Sequence, residues 1–137
     1  MILVLGNKIF NRGCVTIDSI LTSIKKLLGI EEDCINFDKD IILHINSVFF
    51  ILDQLGVNPT VFFSISDKEQ LWDEYLLSGL NPEVIKTYIY LKVRLIFDPP
   101  LSASLIAVIK EQIAELEWRI MISVDPKPVA EEVTDYE

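Results

Sequence analysis

Val84-Ile-Lys-Thr-Tyr-Ile-Tyr-Leu-Lys-Val-Arg-Leu-Ile-Phe-Asp-Pro-Pro100 is the stretch that decides how this chain is read. Val84, Tyr88, Leu91 and Leu95 recur at helical spacing in one row, and Ile85, Ile89 and Ile96 form a second row beside it. Asn81 supplies a cap and Pro82 a proline at the first helical position, which together mark a start. Asp98-Pro99-Pro100 marks the stop, because proline disfavours the α conformation of the residue before it. The helix is apolar almost all round. It belongs at the centre of a small bundle, with any remaining apolar surface covered by another subunit.

Outward from this helix, the flanking segments read as its packing partners. Ile17, Ile20, Leu21, Ile24, Leu27 and Leu28 form a stripe over 16–28. Thr16 or Asp18 stands at its cap, Gly29 at its end, and Lys25 and Lys26 near the C-terminal end of its dipole. Asp38 caps a second helix over 38–55, with Ile41, Ile42, Ile45, Val48, Phe49, Leu52 and Leu55 as its core stripe. Phe50 and Ile51 widen that stripe beyond what one partner helix covers. A capping box of Ser66 and Glu69 predicts a third helix over 66–78, carrying Leu71, Trp72, Tyr75 and Leu76. Ser102 or Ser104 opens a fifth over 102–123, whose stripe is Leu105, Ile106, Ile109, Ile113, Leu116 and Ile120. Glu115 and Arg119 are spaced there for an i,i+4 pair. The expectation is an all-α domain over 15–124, between an irregular arm at 1–14 and an acidic, proline-containing tail at 125–137.

Composition narrows the function. A chain of 137 residues is one domain by length. Its mean hydropathy of +0.37 is high for a soluble protein of this size, yet its apolar runs fall far short of the roughly 20 residues a membrane span needs. No membrane association is expected, and the surplus apolar surface points to subunit contacts. A net charge of −9 argues against nucleic acid as a direct ligand, since phosphate contacts require Lys and Arg. Cys14 and Cys34 lack metal-type spacing and read as free thiols of a reducing compartment.

Chemistry is hard to place anywhere on the chain. His44 is the only histidine; Asp40 precedes it by one turn, but no nucleophile accompanies the pair. One histidine and two distant cysteines make no zinc site, and Cys34-Ile35 interrupts any calcium-like spacing after Glu31, Glu32 and Asp33. No glycine-rich phosphate loop occurs. The expectation is a protein without catalytic residues, cofactor or metal. Phe62, Phe63 and Tyr90 are the aromatic residues best suited to anchor an interface.

Ser19-Ile-Leu-Thr-Ser-Ile-Lys-Lys-Leu-Leu-Gly-Ile30, His44-Ile-Asn-Ser-Val-Phe49, Lys86-Thr-Tyr-Ile-Tyr-Leu-Lys-Val-Arg94, Phe97-Asp-Pro-Pro100 and Glu117-Trp-Arg119 together resemble a small structural protein of tailed bacteriophages, of the type found in phages and prophages of Gram-positive bacteria. More distantly the chain resembles the head-tail connector, or adaptor, proteins that ring the portal. The resemblance covers about Val15 to Val124 and leaves both ends without an inherited role. It implies a virion protein of the head-tail junction, assembled in the host cytoplasm into a ring, usually of twelve subunits. Such a ring extends the portal channel and docks a neck or tail-completion protein, with DNA only as passing cargo. A head-to-tail ring buries two different faces of each subunit. The interface residues expected on this reading are Phe50, Phe62, Phe63, Tyr90, Arg94, Pro99, Pro100 and Trp118, with Lys86, Lys92 and Arg94 facing acidic groups of the neighbouring chain. The alternatives are another phage head or tail-completion protein, an acidic helical regulator of a host protein, and a small hydrolase built around His44.

Overall fold

A computed structural model describes residues 18–58, 62–76 and 80–125. The expected arm at 1–14, with Cys14 and Thr16, lies outside the described residues, as do Gly79 and the tail from 126. Five helices follow one another in the described residues: α1 (Ile20–Leu27), α2 (Asp38–Gln54), α3 (Trp72–Tyr75), α4 (Pro82–Phe97) and α5 (Ala103–Val124). The class is all-α. α4 is the centre, packing most extensively on α2, then on α5, and also touching α1. α2 and α5 scarcely meet each other. Ile41, Ile45 and Phe49 of α2 and Ile85, Tyr88, Ile89 and Val93 of α4 are all fully buried.

The central helix starts and stops as its sequence dictates. The Asn81 side chain accepts the Glu83 N–H, Pro82 occupies the first turn, and the chain leaves helical geometry at Asp98. Ser102 caps α5 through the Leu105 N–H. Phe37 meets Phe97 edge to face at 5.6 Å, which ties the start of α2 to the end of α4.

Two caps differ from expectation. Ser19, not Asp18, caps α1 and accepts the Thr22 N–H. Phe37 occupies the cap position of α2 and Asp38 is the first helical residue. The physical reason is Lys25, which is only 2% exposed. Its ammonium lies 2.7 Å from the Asp38 carboxylate and donates to the Glu32 and Cys34 carbonyls, both at 2.9 Å. A buried cation stands only when its hydrogen-bonding capacity is met. Lys25 is therefore the post around which the acidic 28–37 loop turns, rather than a surface cation at a helix end; Lys26 is the exposed one.

The third segment shows the largest departure. The Ser66–Glu69 capping box does not form, and the helix is confined to Trp72–Tyr75. Gln70 Oε1 instead accepts the N–H groups of Ser66 and Asp67, and Asp67 Oδ1 accepts that of Glu69. Side chains that bond nearby backbone offer it an alternative to the helix. Asn46 of α2 pins the segment further, donating to the Ile65 carbonyl at 2.9 Å and accepting the Ile65 N–H at 2.8 Å. At its far end, Gln70 and Leu71 run beside Ser19, with Ile20 N–H bonded to the Gln70 carbonyl. Trp72 then donates its indole N–H to Ser23 at 2.7 Å.

Candidate assembly interface

The charges of α4 are mostly settled within the chain. Lys86 lies 3.7 Å from Glu83 and over the Trp72 ring. Lys92 lies 3.7 Å from Glu117 of α5 and over the Tyr88 ring. Tyr88 donates its hydroxyl to the same carboxylate at 2.7 Å. Burial, then that hydrogen bond and the Glu117 charge, push the Tyr88 phenol well above its ordinary pKa. Both lysines thus have a carboxylate of their own chain within 4 Å, before any neighbouring chain is considered. Arg94 differs from them. Its Nη1 donates to the Tyr90 hydroxyl at 2.7 Å, and among the described residues no carboxylate pairs with it.

The surplus apolar surface is not on α4, where only Pro82, Glu83, Thr87 and Ile96 are exposed. It lies on α5. That helix is about 33 Å long at about 1.5 Å per residue. Ile109, Ile113 and Ile120 bury one stripe of it against α4. The Tyr88–Glu117 bond sets an antiparallel register that brings Phe97 opposite about Val108. The first turn of α5 thus projects past the end of α4. Leu101 and Leu105 on this projection are exposed, as are Val108, Trp118, Met121 and Ile122 further along. Trp118, at 60% exposure, is nine residues from Ile109, which places it half a turn round, away from the core stripe.

A second apolar face belongs to α2. Leu43 and Phe50 are seven residues apart on its outer side, and both are exposed. Phe62, with φ +43° and 77% exposure, stands out from the loop that Asn46 holds on α2. Phe63 turns inward, meeting Phe49 at 5.2 Å and Tyr75 at 5.3 Å between ring centroids. Tyr90 is half-buried with an edge against the core, and at the elbow Pro99 is exposed and Pro100 half-buried. Phe50, Phe62 and Trp118 of the expected set thus lie on open apolar faces, divided between α2 and α5. Leu105, expected in the core stripe of α5, is instead exposed, and Leu43, Leu101, Val108, Met121 and Ile122 are exposed without having been expected at an interface. The signal on α5 was a short apolar cluster near its end, Trp118 with Met121 and Ile122, away from the core stripe; the exposed Glu111 and Glu115 separate Val108 from it.

Other polar groups show no convergence. His44 is half-buried on α2 and makes no bond to Asp40. Cys34 is a free thiol. Among the described residues, no three His, Cys, Asp or Glu side chains are grouped to hold a metal, and no helix is long and apolar enough to cross a membrane. A cleft of about 330 Å³ between the start of α1, the 32–39 turn and Ser66–Lys68 has mixed charges on its walls, Asp33 and Asp67 among Lys39 and Lys68. Asp53 and Tyr75, both buried, carry oxygens without hydrogen-bond partners. Burial raises the Asp53 carboxyl above the usual carboxylate range, and burial with the Asp53 charge raises the Tyr75 phenol.

The described residues thus form a small all-α body with exposed apolar side chains on both α2 and α5. Comparison with known families places it further: the model of the phage connector protein family matches residues 20–127, and the chain belongs to that family. No curated protein and no solved structure matches it. The family describes a component of the phage particle that contacts other head or tail proteins.

Proposed function

We propose that this protein is a non-catalytic ring subunit of the head-tail junction of a tailed phage. The observation that carries the reading is the pair of apolar faces, one on α5 around Trp118 and one on α2 around Leu43 and Phe50, borne by a member of the connector family. Two different faces on one chain form a head-to-tail contact, and such contacts close into a ring when the rotation allows. Successive subunits would each lay α5 against the α2 face of the next, in a ring of twelve. The ring would sit on the portal protein, extend its channel and receive a neck or tail-completion protein. DNA would pass through as cargo past a surface whose net charge of −9 repels phosphate. Assembly would take place in the cytoplasm of the bacterial host, a Gram-positive one on the sequence resemblance.

The test is assembly of the purified protein, alone and with portal particles, followed by sedimentation and electron microscopy. Rings are expected from the unaltered chain. Trp118→Glu is expected to leave a folded monomer by circular dichroism and to weaken self-association at least about thirtyfold, since a buried aromatic anchor contributes about 2 kcal/mol or more. A chain that remains monomeric at high concentration and ignores portal particles overturns the reading.

A further inference from the structure

The cleft between the start of α1, the 32–39 turn and Ser66–Lys68 has Leu21, Ile35 and Ile42 in its lining and a volume of about 330 Å³. A cavity of about 150 Å³ takes a benzene ring. The cleft therefore has room for the two fused rings of an indole. The largest exposed aromatic side chain of the described helices is Trp118, 60% exposed on the outer side of α5. It takes no part in the cleft of its own chain, and α5 scarcely meets α2. An indole from α5 can reach such a cleft only on another copy.

The surroundings of the two features match as well. Lys39 lines the cleft and stands on the same side of α2 as the exposed Leu43, four residues on, and Phe50, a further seven. The cleft thus continues the apolar row of α2 at its N-terminal end. On α5, Met121 and Ile122 continue the exposed row from Trp118 at i+3 and i+4. The two rows can lie side by side with the indole in the cleft and Met121 and Ile122 over Leu43. Both signs of charge occur on each partner. Glu115 and Arg119 flank Trp118, while Lys39, Lys68, Asp33 and Asp67 stand on the cleft walls. Glu115 and Arg119 pair with each other at 2.7 Å, but both are 60% exposed, and an exposed pair of this kind is given up at little cost. Lys39 and Lys68 have no carboxylate within 4 Å among the described residues. A buried indole N–H seeks an acceptor, and the Asp33 and Asp67 carboxylates supply one.

We propose that the cleft between α1 and α2 receives Trp118 of a second copy of this chain. This contact presupposes the head-to-tail assembly proposed above and gives it its residues. The indole enters the cleft, Glu115 faces Lys39 and Lys68, and Arg119 faces Asp33 and Asp67.

The test is sedimentation of the full chain and its variants, each checked for folding by circular dichroism and thermal melting. Ser66 and Lys68 are exposed and line the cleft, so Ser66→Trp and, separately, Lys68→Trp fill it from its own wall without entering the core. Each is expected to weaken self-association about tenfold or more, and Trp118→Ala about thirtyfold. Either filling variant combined with Trp118→Ala is expected to associate no more weakly than Trp118→Ala alone, because the filled cleft then has no indole to exclude. Effects that multiply overturn the proposal, as do filled clefts that associate like the unaltered protein. An unaltered chain that stays monomeric overturns the ring and the cleft together, whereas rings indifferent to a filled cleft overturn the cleft alone.

Discussion

Asp53 is the residue whose environment fits it least. It is buried near the end of α2, one oxygen has no partner, and only desolvation acts on its pKa, upward from an ordinary 3.8. A carboxyl whose folded pKa is raised holds its proton more tightly in the native state, so the chain loses stability as pH rises from about 3.8 through the raised value. At neutral pH that penalty is fully present. Asp53→Asn, which carries no charge, is expected to melt about 2–6 °C higher at pH 7, for a gain of about 1 kcal/mol. The gain should shrink as pH falls toward 4. Thermal melts of both proteins across that range check it, and a variant less stable at neutral pH would contradict the account. Neither Asp53 nor Lys25 was legible in the sequence. Periodicity says which face of a helix is apolar, but not which charged residue at its edge the following loop will enclose.

Among the elements, α4 was the most legible, because Asn81-Pro82 and Asp98-Pro99-Pro100 specify its ends by local chemistry alone. The third helix was the least. Ser66 and Glu69 have the right spacing for a capping box, but Gln70 Oε1 takes the Ser66 N–H, Asp67 Oδ1 takes that of Glu69, and Asn46 holds Ile65 from a helix 19 residues away. Such a tertiary tether has no local signature. Its weight can be measured. Asn46→Ala leaves the N–H and carbonyl of the buried Ile65 unpaired, and is expected to destabilise the fold by about 2–3 kcal/mol in denaturant unfolding. Proteolysis of the folded variant should begin between 62 and 70. α5 presents the complementary lesson: its core stripe was read correctly in Ile109, Ile113 and Ile120, while the row around Trp118 passed unnoticed. A helix with two apolar stripes reads like one with a wide stripe until its neighbours are counted.

The whole molecule inverts the first impression of where its surplus hydrophobicity lies. α4 looked too apolar to stand inside a small protein, yet α1, α2 and α5 cover nearly all of it. Much of the uncovered apolar surface falls on the two flanking helices, with Leu27, Ile35, Phe37, Phe62, Ile96 and Leu101 outside them. Assembly through such faces is driven by removing apolar area from water, so it should weaken on cooling and strengthen in sulfate. Association constants measured by sedimentation at low and room temperature, with and without sulfate, check this. A contact that instead collapsed in moderate sodium chloride would be an ionic one.

The elbow between α4 and α5 has a bearing on the life of the chain before it joins a particle. Pro99 and Pro100 each fix one backbone angle at the elbow, and α5 commits its Ile109, Ile113 and Ile120 stripe to the bundle, which leaves Trp118, Met121 and Ile122 facing outward. A ring subunit of the kind proposed would carry this apolar flank exposed until it is assembled. What keeps copies apart in the interval is mutual repulsion from the −9 charge, a barrier that one well-matched surface overcomes and random encounters do not. On the proposed function the order of events follows: the chain folds first with this flank open, and recruitment covers it afterwards.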